Sequence, residues 1–565
     1  MKFNINGLDV NDTQEIANRL NEFYVNSVVD IHQSIGTSNM NSDDDDQSAD
    51  TSPPTFELKH VNVGYLQRCL MEMNNKKDVH LISPRILLDA WPIISEFVGE
   101  IVNRSLDTSM PEGLKVSTVA AVPKMSQPKR AEDYRPVNML PTLEKLIETV
   151  VKNQLVSFIE ENNILAKFQS AYRVRHSCET ALNLVLAKWK EINSNGEIIM
   201  AVFLDLKRAF ETIDRKRLIK KLKLLGFSSK SLEWFGGYLS RRSQRTKVNG
   251  CVSDCIENEL GVPQGSVLGA MLFILYINDL PSHLKNVFVN LFADDTLIYL
   301  HGSNIDVMRD RMNSELEIIK QWLRRNKLKL NVGKTKVMII RHPSLAAPIN
   351  RISVDGEELE IVNRIKYLGI IIDEKLDFKE NVDYVCKKVA KKVGVLTRLS
   401  NNITMGARIT IYKTIIAPHF DYCSSLLFLS DQAAFDRLQK LQNRAMRAVL
   451  RCRKLTPISF MLDALGWLTV KQRVYVTTVM FIYKLRRGLL PPYLSEMVTF
   501  NGEMHDYQTR SREDFHVTAK RTSKERNSVF HRGLILFNSL PRDLKSEESE
   551  KLFKKKLKEI MKSMI

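Results

Sequence analysis

The chain predicts an α+β fold, and three observations carry that prediction. Over residues 12–35, 143–161, 180–192 and 316–328 apolar side chains recur every three or four positions, the period of a helix with one buried face, and helical patterning also dominates 65–103. Residues 198–204 are an unbroken apolar run, which reads as a strand buried on both faces. Residues 287–291 and 296–300 are β-prone runs separated by an acidic pair, which reads as a hairpin. A further strand is expected at 337–340, after the last of those helices.

The first element, 12–35, should bury a face carrying Ile16, Leu20 and Phe23. Residues 36–54 are then polar and acidic, with four consecutive aspartates from Asp43 to Asp46 and the pair Pro53-Pro54. This segment reads as a disordered linker, because nothing in it fixes ligand geometry for a metal. No internal repeat is visible.

Composition narrows the class. The 565 residues are 44% hydrophobic and 26% charged, the make-up of a folded chain large enough for several subdomains. The formal charge of +18 points to a polyanionic partner; basic surfaces also bind membranes. The 7 cysteines are scattered, and Cys251 and Cys255 lack the second pair or histidine spacing of a zinc site, so free thiols in a reducing compartment are expected. The N terminus does not read as a signal peptide, and the longest apolar run, 267–277, is too short to span a bilayer. The expectation is a soluble intracellular protein, in the nucleus or the cytoplasm with the nucleus slightly favoured, and with no membrane partner.

The chemistry is concentrated in carboxylates. Asp294 and Asp295 sit between two apolar runs, where adjacent like charges repel unless water or a multivalent cation holds them. An isolated Asp-Asp pair is ordinarily a solvated turn. Asp205 ends the buried strand, where a carboxylate is commonly a cap or an ion-pair partner. Together, however, three carboxylates from two neighbouring strand ends can bind two hard divalent cations about 3.5–4 Å apart, the two-metal arrangement for phosphoryl transfer.

The order of motifs resembles the reverse transcriptases of non-LTR (LINE-like) retrotransposons, of the Jockey-like type. The central motifs are Val202-Phe203-Leu204-Asp205-Leu206-Lys207-Arg208-Ala209-Phe210, then Gly261-Val262-Pro263-Gln264-Gly265-Ser266-Val267-Leu268-Gly269, then Phe292-Ala293-Asp294-Asp295. Upstream stand Val122-Pro123-Lys124, Asp133-Tyr134-Arg135-Pro136-Val137-Asn138 and Gln169-Ser170-Ala171-Tyr172-Arg173. Downstream stand Leu328-Lys329-Leu330-Asn331-Val332-Gly333-Lys334-Thr335, Tyr367-Leu368-Gly369-Ile370 and Phe537-Asn538-Ser539-Leu540-Pro541. The resemblance runs from about residue 56 to the C terminus, and an ordered set of this length is specific where one motif alone is weak.

The resemblance implies a right-hand polymerase: helical fingers, an α+β palm carrying the catalytic carboxylates, a helical thumb and a helical, basic C-terminal extension. The implied division is 1–55 N-terminal helix and acidic linker, 56–190 fingers, 191–350 palm, 351–460 primer grip and thumb, and 461–565 extension. The implied reaction extends a primer 3′-OH with dNTPs on an RNA template. Asp205, Asp294 and Asp295 become ligands of two Mg²⁺ ions, with Mn²⁺ as the alternative. Lys124 and Arg135 would hold the triphosphate, although each alone reads as a surface cation. Phe210 would stand under the incoming sugar and exclude a 2′-hydroxyl, although aromatics are usually core. Gln264 and Gly265 would approach nucleotide and template, although Pro-Gln-Gly alone is an ordinary turn. Lys334 would protonate the leaving pyrophosphate, or be a solvated loop lysine.

The chain departs from the family pattern at Arg208 and Glu211, where Lys and Asp are common, at Ala270, where Pro is usual, and at Ala171-Tyr172-Arg173 and Asn75-Lys76-Lys77-Asp78. The roughly hundred residues before Lys115 are fewer than an endonuclease domain needs, so the chain alone is not expected to nick a target, which leaves a truncated copy or an endonuclease in trans. Further along, Arg437, Lys440, Arg444, Arg447 and Arg451 form a cationic stripe opposite the apolar stripe of Leu438, Leu441, Ala445 and Val449, a helix suited to a phosphate backbone; Lys387, Lys388, Lys391 and Lys392 form a smaller cluster. Two other classes stay open at this stage: a non-catalytic RNA-binding relic, and a metal-dependent nuclease using the same carboxylates.

Overall fold

The computed structural model describes residues 3–5, 8–10, 12–36, 54–73, 82–341, 351–429, 431–504 and 511–563. The acidic segment expected to be a linker and the Asn75–Asp78 departure fall almost wholly outside them. The chain is a mixed α/β structure of two compact units: 1–172, 205–285 and 314–332 form the first, and 173–204, 286–313 and 333–565 form the second.

The first unit is built on a sheet in the order Tyr134–Met139, Val116–Pro123, Arg242–Val248, Cys251–Val252. Its first pair is antiparallel and its second parallel, with Val122 opposite Arg135 and Val119 opposite Thr246. Helix Thr13–Ile35 lies on this unit, capped by the Asp12 carboxylate accepting from the Glu15 amide. Its buried stripe is Ile16, Leu20, Tyr24 and Val28. Phe23, expected on that stripe, is half-buried at its edge, where the Arg208 guanidinium lies 5.1 Å from the ring centroid. Asn21, fully buried, fixes the helix by donating to the carbonyls of Gln244 and Asp254 and accepting from Gln244 and Thr246. The expected 65–103 helical stretch begins as Val63–Met73 and resumes as Pro84–Asp107, which the Ser83 side chain caps and Pro84 opens.

The second unit centres on a five-stranded sheet in the order Glu360–Ile361, Lys336–Ile340, Ile198–Leu204, Asp295–Gly302, Phe288–Phe292. The three junctions from Lys336–Ile340 to Phe288–Phe292 are antiparallel, and Glu360–Ile361 joins in parallel. Ile198–Leu204 is buried at every position, as an uninterrupted apolar run requires of a central strand. Trp189 of helix Cys178–Ser194 seals one face of the sheet, with Phe203 and Tyr299 edge-on to it. Helices Lys379–Leu399, Gln432–Leu450 and Val470–Arg486 share a separate apolar core around Phe420, Met446 and the stacked pair Tyr412–Trp467. In the tail, Asn538 exchanges two side-chain hydrogen bonds with the backbone of Phe515, and Phe537 is fully buried, so the Phe537–Pro541 motif works as a packing element.

Among the described residues, no helix is long and apolar enough to cross a membrane. All seven cysteines are free, as the scattered spacing predicted.

Candidate active site

The acidic hairpin forms as the sequence predicts. Phe292 pairs with Asp295, and the two-residue turn between them is Ala293-Asp294, with Ala293 held at φ 55°. Ala293 is buried, whereas Asp294 and Asp295 are exposed. The register of the neighbouring pair is specific: Thr296 faces Leu204, Leu297 faces Phe203, and Ile298 faces Val202. Leu204 is the last residue of its strand and Asp205 follows it in the chain; Asp295 precedes Thr296. A slip of one residue would move Phe203 and Leu297 from the cluster they share with Trp189 and Tyr299 to the opposite face of the sheet, so side-chain packing specifies this register.

Against the hairpin lies the Tyr367-Leu368-Gly369 turn, in the same unit. Tyr367 is buried 5.3 Å from Phe203 between ring centroids, and burial, with the Asp295 carboxylate nearby, pushes its phenol far above the usual value. The turn is clamped: Tyr422 donates to the Leu368 carbonyl at 2.7 Å, and its ring stands 3.0 Å from where a Cβ on Gly369 would lie.

In the first unit, Asp205 is tied to the segment that resembles the family's lysine-containing motif. Asn331 donates to the Asp205 carboxylate through Nδ2 at 2.8 Å, and its amide donates to the Asp205 carbonyl at 2.8 Å. Leu206 forms a β-bridge with Leu330. Asn331 therefore orients the acid, a role that sequence reading missed because the two residues are 126 positions apart.

A second cluster in this unit surrounds Gln264. The Val262 amide donates to the Phe210 carbonyl at 2.9 Å, and the Gly261 amide to Ile213 at 2.8 Å. The Gln264 carbonyl accepts from both the amide and the side chain of Asn138. With its side-chain nitrogen turned inward, Gln264 donates to the Pro136 carbonyl at 2.9 Å and to Glu211 at 3.2 Å. Gly265 lies at φ +108°, with Asn138 oxygen 2.9 Å from an imagined Cβ. Phe210, Gln264 and Gly265 are thus joined through one hydrogen-bonded framework to the strand bearing Arg135. Lys124 and Arg135 are both exposed; the Lys124 ammonium donates to the Glu132 carbonyl at 2.7 Å. Phe210 is half-buried and stacks on Phe273 at 4.4 Å, so it is a supported ring with one side accessible.

This loop is held from behind by a buried network. Glu148, fully buried, accepts from the Val267 amide at 2.7 Å and from the Tyr238 hydroxyl, and Arg242 pairs with Glu144 at 2.5 Å. Burial pushes the Glu148 carboxyl upward, and those two donors act against that rise. The departures at Arg208 and Glu211 are structurally absorbed. Arg208 Nε lies 3.4 Å from Glu211, and Arg208 also donates to the Tyr24 carbonyl of the first helix at 3.0 Å.

Lys334 is exposed, as a solvated loop lysine would be. On helix Gln432–Leu450 and its αL cap Arg451, four of the five expected cations are exposed and Arg447 is half-buried. Arg437 is ion-paired to Asp383 at 2.5 Å, so the cationic stripe has a neighbouring acid that its own helix does not reveal. By donor type the three aspartates suit hard divalent cations. Among the described residues, no group of three or more Asp, Glu, His or Cys side chains is found that could hold a metal ion.

Residues 122–372, which include both the acidic turn and the glycine loop, match the family model described as Reverse transcriptase (RNA-dependent DNA polymerase). Over that stretch the chain is similar to reverse transcriptase domains. More particularly, the chain is similar to polymerases of non-LTR retrotransposons. It is 26% identical over 366 residues to the RNA-directed DNA polymerase from mobile element jockey of Drosophila melanogaster, a match covering 63% of this chain and 40% of that protein. It is 27% identical over 388 residues to the probable RNA-directed DNA polymerase from transposon BS of the same species, covering 67% and 43%. To the probable RNA-directed DNA polymerase from transposon X-element it is 26% identical over 350 residues, covering 60% and 38%. The match with jockey thus spans two fifths of that relative's length.

Proposed function

We propose that the chain is an RNA-directed DNA polymerase, arranged as fingers (56–190), palm (191–350), primer grip and thumb (351–460) and a basic extension (461–565). The primer 3′-oxygen attacks the α-phosphorus of a dNTP, one P–O bond forms, and pyrophosphate leaves. The observation that supports this reading is the Leu204–Thr296 pairing at the centre of the sheet, with Asp205 following Leu204 and Asp295 preceding Thr296 in the chain.

Asp205, Asp294 and Asp295 would hold two divalent ions, Mg²⁺ or Mn²⁺, which supply Lewis-acid charge to the reacting phosphate. Asn331 keeps the Asp205 carboxylate oriented. Lys124 and Arg135 bind the triphosphate, with Arg135 able to do so bidentately. Gln264 and Gly265 present a close backbone surface to nucleotide and template. Lys334 delivers a proton to the pyrophosphate. RNA template and DNA primer lie along the basic helix Gln432–Leu450 and the lysines of helix Lys379–Leu399. Nuclear action completes the reading.

Primer extension on a homopolymer RNA template, with dNTPs and either metal, tests this function. Template-dependent incorporation supports it, and release of nucleotides without dNTPs would instead indicate a nuclease. Within that assay, Phe210→Ala is expected to raise the rNTP-to-dNTP incorporation ratio by one to two orders of magnitude, on the order of what one lost steric exclusion gives. An unchanged ratio would return Phe210 to the core. Replacing Arg444 and Arg451 together by Gln is expected to weaken RNA binding and to make the log–log salt dependence shallower by about 0.7 to 0.9 per lost phosphate contact. Fluorescence anisotropy across a salt series reads that slope.

A further inference from the structure

The second unit carries a lysine that has no countercharge among the described residues. Lys190, on helix Cys178–Ser194, is only 3% exposed and lines a cavity of about 360 Å³. Among the described residues, no carboxylate pairs with it and no oxygen accepts from its ammonium. The three acids on the cavity wall are Glu191, Glu496 and Glu525. Glu525 is committed to its own helix start, accepting from the Thr522 amide and hydroxyl, with Lys520 at 3.9 Å. The charge that Lys190 does feel has its own sign: burial first, and then the Lys524 cation, lower its ammonium to about 7.

Lysines are almost never this buried unless paired, because an isolated buried charge is costly. An apolar side chain could fill the same volume without that cost. What would restore the charge is an anion entering the cavity, whose wall also offers the ammonium of Lys520 and the hydroxyls of Thr518 and Ser528.

We propose that this cavity is a binding site for a small oxyanion, a phosphate or carboxylate group, with Lys190 as its charge partner and Lys520, Thr518 and Ser528 as further donors. The site is separate from the polymerase chemistry and does not depend on it.

Two readouts on the full chain test this. In the first, lysines are methylated with formaldehyde and a borane reductant at pH 7.5 and constant ionic strength, and each is quantified by peptide mass spectrometry. Inorganic phosphate in one arm and acetate in the other distinguish the two sources of the oxyanion. The expected result is at least fivefold slower methylation of Lys190 with one of them, while exposed Lys387 and Lys554 are unaffected. In the second, the same anion raises Tm of the wild type, and Lys190→Met abolishes that rise. Lys520→Ala, a change at the cavity wall, should weaken both effects and serves if Lys190→Met does not fold. An equal Tm rise in both variants and the wild type, or no protection and no Tm rise with either anion, overturns the proposal. If Lys190 does not react, the Tm arm decides.

Without anion, the sign of the pH dependence follows from the same geometry. The unfolded lysine keeps its proton to 10.5 and the folded one releases it near 7, so between these values the unfolded chain binds more protons. Stability therefore gains a component that grows as pH rises from about 7 to 10.5, and Lys190→Met removes it. The cavity's other charged or titratable groups, Lys188, Glu191, Glu496, His516, Lys520 and Glu525, together with Lys524, are common to both proteins and cancel in the difference.

Discussion

Asp294→Ala is expected to abolish primer extension, lowering the rate by about three orders of magnitude or more, with the fold and RNA affinity retained. The size follows from the proposed role. A carboxylate that holds a divalent ion supports several kcal/mol of charge stabilisation in the transition state, and each 1.4 kcal/mol is about tenfold in rate. The preserved fold follows from the site. Asp294 is exposed at a turn, while the hairpin is held by Val289, Leu291, Leu297 and Ile298, all buried. Asp205→Asn should give the same loss, whereas Asn331→Ala should leave the acid in place but free to rotate and cost about 10- to 100-fold, the range for partners that orient a metal ligand. Single-turnover extension with circular dichroism on the same samples checks both statements. Full extension by Asp294→Ala would remove the acid from the chemistry.

Gly261→Ala is expected to be the most damaging small substitution near the site, costing about 2–4 kcal/mol of stability. Gly261 is buried at φ +69°, and an added Cβ would stand 2.3 Å from the Glu211 carbonyl oxygen and 2.5 Å from its carbon. Those are backbone atoms, so no side chain can swing aside. Relief would require the loop to move away from 210–213. That movement would break the Val262–Phe210 and Gly261–Ile213 hydrogen bonds and carry Gln264 and Gly265 with it. Catalytic efficiency should therefore fall with Tm. Gly250→Ala, also at positive φ but with open space around it, is the control and should cost only about 1 kcal/mol. Equal melting temperatures for the two variants would contradict the packing account.

The parts of this protein that sequence reading captured are those encoded locally. The apolar run 198–204, rich in β-prone residues, reads as a strand buried on both faces, and Ile198–Leu204 is the central strand of its sheet. Two β-prone runs around a short acidic turn close into a hairpin, and 288–302 does so. Where polarity hid the period, the reading fell short. Helix Ile305–Arg325 begins well before the expected 316 because its first turns carry Asp306, Arg309, Asp310 and Arg311. The Asn304 side chain, which accepts from the Asp306 and Val307 amides, was the available start signal.

What was not legible depends on residues far apart in the chain. Glu144 and Glu148 look like the solvated acids of an amphipathic helix, and only the fold supplies Arg242, Tyr238 and the Val267 amide as partners. Asn331 stood inside a motif without a role until its contact with Asp205 was visible. The cationic stripe at 437–451 was read correctly as a stripe, but Asp383, on another helix, changes the charge at one end. Lys190 illustrates the same limit, since one lysine in a helical pattern gives no sign that it faces a cavity.

The central claim is that Asp205, Asp294 and Asp295 share divalent ions. The direct measurement is the anomalous scattering of Mn²⁺ in crystals of the chain with primer–template and an incoming dNTP. The account predicts Mn²⁺ peaks in contact with carboxylate oxygens of both Asp205 and the Asp294-Asp295 pair. Mn²⁺ bound at the hairpin while the Asp205 carboxylate stays hydrogen-bonded to Asn331 and out of reach of every peak would contradict it.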